Sequence, residues 1–97
     1  MNQRAAFDPG DDFDAMAESF RIHVTRMILE ARSAAVFRDL PPTRQIECFM
    51  AGVATGLVGV CLTCVEEQGW DEMMEFISNY LPLARQNAEE IIREARP

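Results

Sequence analysis

Lysine is absent, and all nine basic residues are arginine. A GC-rich coding genome accounts for this as well as selection for bidentate arginine–carboxylate pairing does. Cysteine is scarce: three thiols leave one over under full pairing, which excludes a disulfide framework and points to a reducing cytoplasm. No charged-then-apolar leader precedes the first amphipathic segment. Five glycines and five prolines in 97 residues exclude collagen-like and low-complexity chains. The sixteen acids outnumber the bases and set the formal charge at −7, so direct nucleic-acid binding is not expected. There is one histidine, no Glu-x-x-His spacing and no glycine-rich phosphate loop, which removes the usual di-iron and nucleotide signatures.

What is present is an ordinary apolar fraction, 48%, in a chain of about one domain. A chain this short leaves roughly a third of its unfolded-state surface exposed after folding, so oligomerisation is an early expectation. Residues 1–10 lack periodicity and carry the Asp8-Pro9-Gly10 turn signal, reading as an N-terminal arm. Residues 11–97 read as a single helical domain. Its fold class is all-α: a small helical bundle of three main helices, the central one fully apolar, the last one kinked at Pro82 or divided there into collinear segments.

In the first helix, capped by Asp8, Asp11 or Asp12, Phe13, Met16, Ala17, Phe20, Val24, Met27, Ile28 and Ala31 recur at steps of three and four. That spacing lays them along one face. A break precedes Pro41-Pro42, because the residue before a proline is pushed out of the helical region. A second helix then runs from about Pro42 to Gln68, with Gly69 as its left-handed C-terminal residue and Trp70 folded back near Val65. Asp71 is the expected cap of the third helix, with Glu72 and Glu75 in its first turns and an inner stripe of Met73, Ile77, Tyr80, Ala84, Ala88 and Ile91.

The second helix is the informative one. From Cys48 to Val65 it holds no charged residue, and a helix apolar all round must be buried all round or sit in lipid. Gly52, Gly56, Gly59 and Thr63 fall at i, i+4, i+7 and i+11, a face almost without side chains. Each glycine costs roughly 0.8 to 1.0 kcal/mol against alanine in a helix interior, so close packing is expected to offset it. The smooth face is expected to meet its symmetry mate or the first helix, with Val53, Leu57, Val60, Cys61 and Cys64 packing on the other side. Self-association as a homodimer follows from this reading. The competing reading is a membrane span with its N-terminal side inward, since Arg38 and Arg44 precede the run and Glu66 and Glu67 follow it.

Catalysis is not expected. Cys61 and Cys64 make a Cys-x-x-Cys pair inside a helix, where small buried apolar residues are the simpler reading than a redox or zinc site. His23 sits beside the first apolar stripe with Ser19 one turn before it, without the nucleophile geometry of a triad. No cofactor or metal is assigned.

Charge runs unevenly, −4 over residues 1–20, +2 over 21–47 and −5 over 66–97. Pairing of the basic middle with the acidic outer segments inside the bundle is the simpler expectation. The sharper one makes Glu66, Glu67, Asp71, Glu72 and Glu75 an acidic corner aimed at a protein partner, with Met73, Met74 or Phe76 as its apolar centre. The functional expectation is a small cytoplasmic, non-enzymatic interaction module, an adaptor or regulatory subunit. The alternative is a phage or mobile-element inhibitor of the anti-CRISPR kind, an analogy of size and charge only, blocking a nucleic-acid-binding protein with acidic surface.

Overall fold

The computed structural model describes residue 8 and residues 10–96; apart from Asp8 and Gly10, the expected N-terminal arm lies outside the described residues. The fold is all-α, with three long helices and one short one: α1 (Asp12–Ala31), α2 (Ala35–Arg38), α3 (Pro42–Thr63) and α4 (Trp70–Ala95), with a single 3₁₀ turn at Glu67–Gly69 before the last. Among the described residues there is no strand. Contacts group the chain into two units that divide within α3, one ending at Leu57 and the other beginning at Val58.

In the first unit, Asp11 is the cap chosen from the three candidates, its carboxylate accepting from the Asp14 N–H at 2.9 Å. Asp8 builds the turn before it instead, its backbone carbonyl accepting from Asp11 N–H and its side chain from Gly10 N–H, each at 2.9 Å. The end of α1 tightens into i−3 bonds at Arg32, Ser33 and Ala34. The segment before the prolines, read only as the approach to a break, forms the one-turn helix α2. Leu40 then precedes two residues that lack an N–H, and the Gln45 side-chain amide donates to the Leu40 carbonyl at 2.9 Å.

The second unit differs from expectation at its corner. Helix α3 stops at Thr63, five residues short of Gln68, through i−3 bonds from Cys64 to Cys61 and from Val65 to Leu62. Continuing would have put Glu66 and Glu67 at the negative end of a helix dipole; stopping leaves them ahead of α4, where the positive end favours them. Gly69 is not left-handed but has φ −95° and serves as N-cap of α4, so Asp71 lies inside the first turn rather than capping it. Helix α4 runs through Pro82 as one element, which decides between one helix and two.

Burial is where the expectations fail most. Phe37, 9% exposed, is the one buried apolar side chain among the described residues. Along the α1 stripe Phe13 is 75% and Phe20 67% exposed, while Ile28 and Ala31 are half-buried. On α4, Met73, Ile77 and Ile91 are half-buried but Tyr80, Ala84 and Ala88 are exposed. The apolar faces read from the sequence exist as continuous helical faces; most of their area has no partner within the unit that carries them.

Candidate functional site

Helix α3 carries the candidate self-association surface. Its 22 residues include none that is buried within the single chain. A Cβ built at Gly52, Gly56 or Gly59 would meet nothing within 4 Å, so of the two expected partners, the symmetry mate and the first helix, the latter does not cover Gly52 or Gly56 within their unit. Leu57 and Val60 are exposed and Val53 is half-buried, so the side opposite the glycines is not a packed core either. Thr63 is exposed, with its hydroxyl donating to the Val60 carbonyl at 2.6 Å; this bond satisfies one of the carbonyls left free at a helix end. By length and composition α3 is also able to cross a membrane.

The acidic residues singled out from the sequence are brought together by the chain itself. Glu66 precedes the 3₁₀ turn, Glu67 lies in it, and Asp71, Glu72 and Glu75 follow in the first two turns of α4. All five are exposed. Glu66 accepts from the Gln68 side chain at 2.8 Å. Beside them Met74 and Phe76 are exposed and Met73 is half-buried, so a small apolar area does accompany the carboxylates. The corner is held by Trp70, whose indole Nε1 donates to the Leu62 carbonyl at 3.2 Å, while a Cβ on Gly69 would sit 3.5 Å from that of Val65.

Several ion pairs are local to one helix among the described residues. Arg21 with Glu18, Arg44 with Glu47, and Arg85 and Arg93 with Glu89 are all pairs one helical turn apart on the same helix. Two of the paired residues, Arg21 and Glu89, titrate away from their usual values. The hydrogen bond with Glu18 raises Arg21 above its usual value. Hydrogen bonding from Arg85, reinforced by the charges of Arg85 and Arg93, lowers Glu89 below the usual carboxylate range.

The chemistry-bearing residues are placed as follows. His23 Nδ1 donates to the Ser19 carbonyl at 2.7 Å; a nitrogen that already holds its proton toward a carbonyl cannot take one from the Ser19 hydroxyl, 3.4 Å away. Cys48 and Cys64 are exposed and Cys61 half-buried, all as free thiols, so the reading of Cys61 and Cys64 as buried apolar residues is corrected: within the chain neither is buried. Cys64 Sγ donates to the Val60 carbonyl at 3.5 Å. Among the described residues no three of His, Cys, Asp and Glu gather as a metal-holding group. Sequence reasoning did not find Asn87, whose Oδ1 is shielded from solvent without a hydrogen-bond partner; a polar side chain among the apolar steps of α4 was the available signal. No family model, curated protein or solved structure matches this chain.

Proposed function

We propose that this chain is a non-enzymatic protein–protein interaction module that self-associates as a homodimer through α3 and presents its acidic corner to a second protein, as a cytoplasmic adaptor or regulatory subunit. The observation that carries the reading is the exposure of α3: an uncharged run from Cys48 to Val65 with no buried residue on its helix. Ordering a residue costs about 1 to 2 kcal/mol of backbone entropy, and the one buried phenylalanine among the described residues does not offset that for the helices they form. A stable dimer removes about 800 Å² or more from each partner, so a second copy is an adequate cover.

The test is the molar mass of the untagged protein in reducing buffer without detergent, by size-exclusion chromatography with light scattering. A dimer supports the reading and a monomer removes it. A second reading is favoured by the length of α3, 22 residues or about 33 Å at the helical rise, enough to span a hydrocarbon core. Recovery only in detergent makes that reading the leading one. A further variant of the first keeps the acidic corner but gives it a nucleic-acid-binding protein as partner, with carboxylates standing where phosphates would lie.

A further inference from the structure

We infer that two copies of this chain pair with their α3 helices antiparallel, so that Arg38 and Arg44 of one copy lie beside Glu66 and Glu67 of the other. The inference rests on the homodimer reading above and adds its orientation. Helix α3 is a charge-free rod between unlike ends from Cys48 onward. Before that point residues 38–47 carry Arg38 and Arg44 against Asp39 and Glu47 and sum to zero, and from Glu66 on residues 66–97 carry −5, so the ends differ chiefly in the acid excess of the second. Five of those acids, Glu66, Glu67, Asp71, Glu72 and Glu75, fall within the ten residues 66–75 that follow the α3 end and are all exposed. At the other end Arg38 is exposed, and Arg44 shares a long 3.3 Å pair with Glu47 while remaining mostly solvated; Asp39 also lies there.

A parallel pair would set two such acidic ends side by side, about 8 to 10 Å apart at helix-packing distance, which is about one Debye length at physiological salt. An antiparallel pair moves them apart by about the length of the rod, roughly 33 Å, and sets each beside the arginine-bearing end. Helix dipoles act in the same direction, each negative C-terminus facing a positive N-terminus. A two-fold axis near the middle of α3 delivers both effects with one self-complementary surface.

The native cysteines make the orientation readable, because Cys48 and Cys64 lie eight residues on either side of Gly56 and both thiols are exposed. In the antiparallel pair with its axis at Gly56, Cys48 of one copy lies level with Cys64 of the other, while like cysteines are about 24 Å apart along the axis. Two variants are needed, Cys61→Ser/Cys64→Ser, which keeps Cys48, and Cys48→Ser/Cys61→Ser, which keeps Cys64. Treated with a maleimide crosslinker shorter than that spacing, the two variants coexpressed give a covalent heterodimer, and each expressed alone gives none. Crosslinking of Cys48 to Cys48 in the first variant alone overturns the inference and leaves the homodimer reading standing. So does a dimer by light scattering that crosslinks in no combination. A monomer in both variants and in the native protein removes the reading on which the inference rests. As a second readout, Arg38→Glu/Arg44→Glu and Glu66→Arg/Glu67→Arg each reduce the dimer fraction, and the two proteins mixed recover it; a mixture no more dimeric than its parts overturns the charge argument.

Discussion

The indole Nε1 of Trp70 donates to the carbonyl of Leu62, eight residues earlier and the same oxygen that accepts from the Val65 N–H. One side chain thereby ties the first turn of α4 to the last turn of α3, and it satisfies one of the carbonyls that a helix end leaves without an intrahelical partner. Trp70→Phe keeps an aromatic ring and removes this donor. The expected cost is about 0.5 to 1.5 kcal/mol, read from denaturant unfolding followed by circular dichroism; an unchanged midpoint would show that the bond does not hold the corner.

Gly56 tests the self-association surface, and the size of the replacement matters. In open space Gly56→Ala stabilises the helix by about 0.8 to 1.0 kcal/mol. Against a close second copy Gly56→Leu overpacks the contact, at about 1 to 3 kcal/mol. The expected outcome is that Gly56→Leu, like Gly52→Leu, lowers the dimer fraction by light scattering. If both leucine variants keep the size and melting temperature of the native protein, the glycine face is not the contact.

At the acidic corner, replacing Glu66, Glu67, Glu72 and Glu75 by Gln and Asp71 by Asn is expected to abolish capture of a basic protein partner while leaving the helical spectrum intact. All five side chains are exposed, and surface substitutions of this kind have small effects on folding. Retained capture in a pull-down places the partner site elsewhere.

Glu89 supplies a pH dependence with a definite sign. Its carboxylate is held low in the folded protein, chiefly by the hydrogen bond from Arg85 at 2.8 Å. A depressed carboxylate contributes stability that is present above its unfolded pKa and is lost as pH falls through the lower folded value. The stability difference between native protein and Glu89→Gln is therefore largest near neutrality and vanishes in acid below the ordinary carboxylate range. Melting curves across that range check it; a difference that grows on acidification contradicts the assignment. High salt reduces the same difference, since the pair is exposed.

Much of the local structure was legible because it depends on neighbours in the chain. The steps of three and four from Phe13 to Ala31 gave α1, the Pro41-Pro42 pair gave the start of α3, and the acids grouped after Val65 stand at the N-terminal side of α4. The corner between α3 and α4 was misread by a few residues, because its geometry rests on a bond between residues 62 and 70 and on where Glu66 and Glu67 meet the two helix dipoles. Neither shows as a periodicity. Gly69 was expected to be left-handed on residue type, yet it enters a 3₁₀ turn that any residue can adopt.

Sequence by itself determined that this is a helical chain with an uncharged central helix and segregated charge, since apolar spacing, proline positions and residue counts are properties of the chain alone. Only the tertiary structure decided how little of that apolar surface the units cover, that Arg21 pairs with Glu18 and Arg85 with Glu89 along their own helices, that α4 passes Pro82 unbroken, and that Cys48 and Cys64 are open to solvent. The physical reason is that periodicity specifies which residues share a face, whereas burial depends on what arrives opposite that face. For α3 that covering surface is not within the units that share this helix, which is why its exposure, rather than its composition, carries the argument for a second copy.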